Sequence, residues 1–284
     1  MACALRDLGL RVRVASIQSA PAPPPALANL SLEWPQAGPR EMAECENAWR
    51  GPGGMLRRRL ARREGVEIAQ IGGLLNLVER WRTRRLVGLG LHTPLLLDTV
   101  HQVSGIPSVW YAGDEPASYH LSCLRHEAPK AWSRRLTTAG YYLLKNRMFA
   151  RRMTAAVGVS ETEAKRLQRV CGVAHTLAVH NGVDLEYFRM SDRPALGRSL
   201  TFWGRMDFEP NIDAVRWFAK HVWQQLVRKA PGARWIIAGK HPATSVTALQ
   251  QIQGIEVTGA VPNLRPLARD AAAIVLPMRI GGGV

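Results

Sequence analysis

The chain predicts an α/β protein of two domains, each a doubly wound parallel sheet flanked by helices. Three observations carry that expectation. Short apolar runs alternate with amphipathic stretches along all 284 residues, the pattern of strand–helix–strand units in a parallel sheet. The length suits two α/β domains of ordinary size, each with its own core. An apolar content of 46%, regularly distributed, is that of a folded chain rather than a disordered one.

The elements follow in order. The end of a helix over 2–8 leads into a strand at Leu10–Ile17. Pro21–Pro25 is a turn or linker, and residues 34–54, rich in Gly, Pro and charge, have too little periodicity for an assigned element. Strands are predicted at Val66–Ile71, Leu86–Leu91, Ser108–Ala112 and Ala155–Val159, with helices between them. A helix over Ser160–Cys171 opens on a capping box, Ser160 as N-cap with Glu163 three residues on. A strand at His175–Val179 precedes the turn signal Asn181-Gly182-Val183-Asp184. Residues 185–198 lose apolar periodicity and read as a crossing, which places one domain at 1–188 and the other at 189–284. The pattern then restarts with a strand at Ser199–Trp203 and a helix at Pro210–Val227. That helix carries Val215, Phe218, Val222 and Leu226 on one face. Strands at Trp235–Ala238, Ile255–Thr258 and Ala272–Leu276 complete it. A doubly wound domain usually begins with a strand and a glycine-rich turn. Here the first domain reads as starting inside its first helix and the second as ending just after a strand, so both are expected to be incomplete.

Composition narrows the setting. The formal net charge is +16, and with only six lysines, 32 of the 38 basic residues are arginine. Attraction to an anionic partner is one reading; an arginine-rich composition spread along the chain is the other. The densest clusters, Arg57–Arg63 and Arg80–Arg85, fall where helix faces are expected. There they read as solvated faces, with contact to the inner face of a membrane as the functional alternative. No helix-turn-helix or aromatic–basic interleaving points to nucleic acid. No apolar run reaches the ~18–20 residues that span a bilayer. Arg6, Asp7, Arg11 and Arg13 break any secretory h-region, so a cytoplasmic location is expected. Cys3, Cys45, Cys123 and Cys171 show no CxxC or disulfide spacing and read as reduced thiols. His120, Cys123 and His126 would share part of a helix face, short of the pattern a zinc site requires, so no metal is expected.

Ligands of open α/β sheets bind beyond the carboxyl ends of the strands, and several polar residues stand at that level. Gly204-Arg205 follows the strand at Ser199–Trp203. Arg205 can grip a diphosphate in a bidentate contact, or pair with Asp207 or Glu209. Gly239-Lys240 follows the next strand, Lys240 being a phosphate partner or a surface lysine. Gly281-Gly282-Gly283 would let backbone amides approach an anion. At the corresponding level of the first domain, Asp114 and Glu115 could orient or deprotonate a hydroxyl, or cap the helix beginning at Pro116. His120 lies one turn on. The absence of GxSxG, P-loop, HExxH and DxD patterns argues against the enzymes built on them.

From about Arg85 to Val284 the chain resembles the retaining family 4 glycosyltransferases of GT-B architecture, in a bacterial subgroup of polysaccharide assembly. The resemblance lies in Trp110-Tyr-Ala-Gly-Asp-Glu115, Val159-Ser-Glu161, Asn181-Gly-Val-Asp184, Phe202-Trp-Gly-Arg-Met-Asp-Phe-Glu-Pro-Asn211 and Pro277…Gly281-Gly-Gly-Val284. Residues 1–84 match only loosely. It implies transfer of a sugar, with retention and no metal or other cofactor, from a nucleotide-diphosphate donor to a saccharide or lipid-linked acceptor hydroxyl. The arginine that holds the diphosphate maps onto Arg205. The lysine that many relatives carry a few residues later has no counterpart in Asp207–Asn211. The first glutamate of the family's paired-glutamate motif falls near Gly282, where this chain has glycine. Many relatives carry a histidine where Asp114-Glu115 stand here. Three alternatives remain open: a sugar-nucleotide epimerase of the same architecture, a basic protein that binds nucleic acid or a membrane surface, and a shortened chain that is inactive as it stands.

Overall fold

A computed structural model describes residues 6–16, 32–33, 36–188 and 197–281. As expected, the fold is α/β with parallel sheets. Strands β1 (Val14–Ala15) and β2 (Leu32–Glu33) form a short parallel pair. Strands β3 (Leu86–Leu89), β4 (Ser108–Gly113), β5 (Ala155–Gly158) and β6 (Thr176–Ala178) form one four-stranded sheet in the order β3-β4-β5-β6. A second four-stranded sheet runs β10-β7-β8-β9, from β7 (Ser199–Trp203), β8 (Arg234–Ala238), β9 (Ile255–Gly259) and β10 (Ala273–Ile274). Every pairing is parallel. Internal contacts divide the chain into two compact units. The first holds the described residues up to Ala117 together with Thr137–His180; the second holds Ser118–Leu136 and the described residues from Asn181 onward.

In the first unit, four expectations are corrected. Val66–Ile71 is not a strand: Glu67 caps a helix at Ile68–Arg80, and Gln70 reaches back to the Glu67 amide. The β-branched Val66, Ile68 and Ile71 favour a strand only locally, whereas Ile71, Leu75 and Val78 bury at helical spacing. Residues 34–54 do hold an element, the helix Pro39–Ala48, which begins on proline and buries Cys45. The strand at Leu10–Ile17 shrinks to Val14–Ala15 among the described residues. The reciprocal half of the box at Ser160 is also absent. The Ser160 hydroxyl accepts from the Glu163 amide, but the Glu163 carboxylate is turned to other partners. The residues 2–5, Ile17 and Pro21–Pro25 of the expected elements lie outside the described residues.

One core cluster of this unit joins Trp49, Leu60, Ile71, Leu75, Leu96 and Phe149; Trp110, on β4, is fully buried in a second with Leu97 and Leu167. Each such side chain contributes roughly 2 kcal/mol by leaving water. Inside it sits a buried carboxylate, Asp98, on the helix Thr93–Ser104. It accepts from Arg57 Nη1 at 2.5 Å, Gln102 Nε2 at 2.8 Å and Arg152 Nη1 at 3.3 Å.

A second buried set centres on Glu64, which accepts from Tyr141, His92 and Lys145, the last at 3.0 Å. Lys145 also donates to the Leu91 carbonyl at 3.0 Å, tying the loop after β3 to the helix Trp132–Phe149. Burial pushes the Glu64 carboxyl up. Hydrogen bonds from Tyr141, His92 and Lys145 and the Lys145 charge outweigh it, and the net direction is down. The ionised form therefore adds stability that is present above the ordinary value of 4.5 and lost as pH falls through the folded value. Glu64→Gln should lower urea stability at neutral pH and flatten its decline below pH 4.5 relative to wild type.

In the second unit, β7 leads to the helix Glu209–Phe218, which continues without a break through a π turn at Ala219–Trp223 into Gln224–Lys229. A second π turn, Leu167–Cys171, extends the helix Glu161–Arg166 of the first unit. Phe202, Val215, Phe218, Trp223, Trp235 and Ile237 form the core between sheet and helix, the Phe218 and Trp235 rings lying 4.6 Å apart. The expected strand at Ala272–Leu276 contracts to β10, paired in register with Leu200 and Thr201.

Candidate functional site

Because β7, β8, β9 and β10 are parallel, the segments after each emerge at one edge of the sheet. Gly204-Arg205 and Gly239-Lys240 lie there together. The Gly204 amide donates to the Ala238 carbonyl at 3.1 Å, Met206 N to Lys240 O at 2.9 Å, and Ala243 N to Met206 O at 3.1 Å. Met206, fully buried, pins the loop to the core. The two glycines serve close approach. A Cβ on Gly239 would stand 1.7 Å from the Gly204 carbonyl oxygen, and one on Gly204 would stand 2.6 Å from Asn211 Nδ2. Asn211 in turn donates to the Arg205 carbonyl at 2.9 Å, fixing the backbone beneath the arginine.

Arg205 itself projects into solvent, its side chain 71% exposed, and donates from Nε and Nη2 to the two Asp207 oxygens at 3.0 and 2.8 Å. The pairing with Asp207 is one of the two alternatives read from the sequence. The Asp207 carboxyl is held below its usual range by that guanidinium. Pairs this exposed are weak, because water and salt screen them. A dianionic diphosphate competes readily for the same fork. Lys240 is exposed beside it. Gly281 is also exposed, next to the buried Ile280, and Gly282 and Gly283 lie outside the described residues. Just before them, Arg279 Nε donates to Asp213 at 2.9 Å, which fastens this segment to the helix Glu209–Phe218.

Segment 118–136 brings His120 into the same unit, near the start of that helix. Arg135, 3% exposed, donates from Nε to both Glu127 oxygens at 2.9 and 3.0 Å, and from Nη2 to Glu209. Its Nη1 lies 3.3 Å from His120 Nδ1. With Arg135 as the donor, Nδ1 accepts and the ring proton resides on Nε2. Burial first, and the Arg135 charge second, push the His120 ring below its usual value, so it stays neutral near pH 7. Glu209 therefore serves Arg135, not Arg205. The sequence reading passed over Arg135, since its partners stand 8 and 74 residues away. Among the described residues no group of three His, Cys, Asp or Glu side chains is arranged to hold a metal.

In the first unit, Asp114 and Glu115 follow β4 and diverge. Glu115 is 1% exposed and accepts from the Ala117 amide at 2.9 Å, capping the helix Pro116–Cys123. Its own amide donates to Glu163 at 2.8 Å. Asp114 stays exposed. Partial burial, then the nearby Glu163 charge, push its carboxyl up, and Arg166 partly offsets them. Of the two adjacent carboxylates, only Asp114 is placed to meet a ligand.

Comparison with known proteins adds three findings. Residues 197–284 match the family of glycosyl transferases group 1. No curated protein sequence matches the chain. Solved structures do match in fold. Sucrose-phosphate synthase from Thermosynechococcus elongatus aligns over 98% of this chain and 68% of its own, at 13% identity and a TM-score of 0.63. TarM aligns over 72% of this chain at 11% identity and a TM-score of 0.53. Anabaena HepE, solved with UDP and glucose, aligns over 88% at 11% identity and a TM-score of 0.50. The chain spans 39% of TarM and 62% of HepE. At such identities the likeness bears on fold alone, and the shared architecture is GT-B, with two Rossmann-like domains.

Proposed function

We propose, for a chain whose residues 197–284 form a glycosyl transferases group 1 domain, that the protein transfers a sugar from a nucleotide-diphosphate donor to an acceptor hydroxyl. The observation that carries this reading is Arg205. It stands exposed at the carboxyl edge of the second sheet, on a backbone fixed by Asn211 and by the Gly204–Gly239 contact. The finer reading is retention of configuration, no resident metal or cofactor, and a role in polysaccharide or glycolipid assembly in the cytoplasm. In the transfer, the bond from the anomeric carbon to the diphosphate oxygen breaks and one to the acceptor oxygen forms. The acceptor proton leaves to a base, for which Asp114 is the exposed carboxylate. Neutral His120, with Nε2–H as a donor, orients hydroxyls or phosphate oxygens. The UDP bound by HepE makes a uridine donor the first to test.

The test is calorimetric titration with UDP and GDP. Arg205→Ala should weaken binding by roughly ten- to a hundredfold, the scale of a charge-assisted hydrogen bond. Asp207→Asn, which frees Arg205 and removes a like charge, should tighten it by about two- to fivefold. Equal affinities in all three proteins would remove Arg205 from the donor site. Conversion of a donor sugar with no acceptor present would point instead to an epimerase.

A further inference from the structure

His92 stands at the end of the loop from β3 to the helix Thr93–Ser104. That loop is held from several sides. The Gly90 amide donates to the Tyr111 carbonyl at 3.1 Å, and the Gly90 carbonyl accepts from Thr93 Oγ1 at 2.8 Å and from Trp110 Nε1 at 2.9 Å. Lys145 grips the Leu91 carbonyl. Because β3 and β4 are parallel neighbours, with Leu89 beside Tyr111, this loop and Asp114 emerge at the same carboxyl edge of the first sheet. His92 Nδ1 pairs with a Glu64 oxygen; the Glu64 side chain is 4% exposed, that of His92 45%. Tyr141 and Lys145 donate to Glu64 as well. Lys145, its side chain also buried, already balances the carboxylate charge inside the fold, so the imidazole is not needed as a counter-ion. An ionised Glu64 can only accept. Nδ1 therefore carries the ring proton and Nε2 the lone pair. Among the described residues the His92 side chain has no other hydrogen-bond partner.

We propose that His92, oriented by Glu64, takes the proton of an acceptor hydroxyl bound at this edge. The inference rests on the transfer reading and divides between two groups what that reading gives to Asp114. In water an imidazole is a stronger base than a carboxylate by roughly two to three pH units. Asp114 then holds the hydroxyl by accepting its hydrogen bond, and His92 removes the proton. As the acceptor oxygen bonds to the anomeric carbon, its proton passes to Nε2. The nucleotide diphosphate leaves with the electron pair of the bond it held. The imidazolium so formed still faces the Glu64 carboxylate through Nδ1. Glu64 is a positioning residue, acting through the ring by fixing its tautomer and angle.

The experiment joins turnover to imidazole spectra. Wild type, His92→Asn and Glu64→Gln are assayed for kcat and KM on a panel of UDP- and GDP-sugars, with water and simple glycosides as acceptors. Asparagine Nδ2 can keep the bond to Glu64 while the base is lost, so His92→Asn should fold as wild type does. Its UDP affinity and donor KM should stay within about twofold, while kcat falls about a hundredfold or more. Proton–nitrogen correlation spectra of wild type at neutral pH should place the His92 proton on Nδ1. In Glu64→Gln that preference should be lost, and kcat should fall while donor KM holds, a split that looser packing alone would not produce. A proton on Nε2 in wild type would overturn the proposal. So would a kcat in folded His92→Asn within about threefold of wild type, or UDP binding by wild type with no consumption of any donor sugar. UDP titration keeps the two readings apart. If wild type binds UDP and His92→Asn turns over normally, His92 falls and the transfer reading stands; if wild type binds neither UDP nor GDP, both fall.

Discussion

Asp98→Ala should destabilise the first unit by about 3–5 kcal/mol, the cost of breaking a buried ion pair from one side. Asp98 is fully buried, and the Arg57 side chain is 8% exposed. Removing the carboxylate leaves the buried Arg57 guanidinium without its acceptor, beside the Phe149 ring at 5.3 Å. It also strips Gln102 and Arg152 of an acceptor. Losing the charge pair entirely should be milder than losing half of it. The double variant Asp98→Leu/Arg57→Met should therefore recover most of the deficit, because apolar side chains of similar volume often replace a buried pair without penalty. Urea unfolding of the two single variants and the double variant measures the coupling. Additive losses would show that the pair is not a unit.

Gly239→Ala should cost about 3 kcal/mol or more and abolish nucleotide binding together. The new methyl would lie 1.7 Å from the Gly204 carbonyl oxygen, which is backbone and cannot swing away. Either β8 or the Gly204-Arg205 loop must move, and that loop is tied on its other side to Asn211 and Met206. Gly113→Ala is the contrast: that residue has φ +71°, but its Cβ would meet nothing within 4 Å. It should cost only the ~1–2 kcal/mol of a left-handed alanine. Thermal unfolding and UDP titration of both variants separate close approach from backbone handedness. A Gly239→Ala protein that binds UDP like wild type would mean that the edge tolerates a shift of its loops.

What the sequence made legible depended on how local the signal was. The strands expected at Ser199–Trp203 and Ser108–Ala112 and the face carrying Val215 and Phe218 are set by neighbours a turn or less away; they stand in the fold, the second strand running one residue further to Gly113. The helix Ile68–Arg80 was hidden because the β-branched Val66, Ile68 and Ile71 at its start outweighed a helical stripe that emerges only further along. Pro39–Ala48 was hidden because only a few of its residues face the core. At the candidate site, Gly204-Arg205 announced itself as a glycine and an arginine after a strand. The packing of Gly204 on Gly239, the union of Glu115 with Glu163 and that of Arg135 with Glu209 join residues 35 to 74 positions apart, and only the folded sheet order brings them together. Gly282 and Gly283, the rest of the expected glycine loop, lie outside the described residues.

The π turns at Leu167–Cys171 and Ala219–Trp223 have a consequence for how these helices tolerate change in length. The second lies inside a helix and is one residue wider than an α-helical turn, whereas the first closes its helix at Gly172. A single deletion inside 219–223 would tighten that turn to ordinary α geometry. It would leave Ala214, Val215 and Phe218 upstream, and Leu226 and Val227 downstream, still facing the sheet. The same deletion inside Glu209–Phe218 would instead rotate everything beyond it by about 100° and turn the buried stripe toward water. Insertions and deletions in relatives of this chain should therefore gather at 219–223 and spare the straight segments on either side.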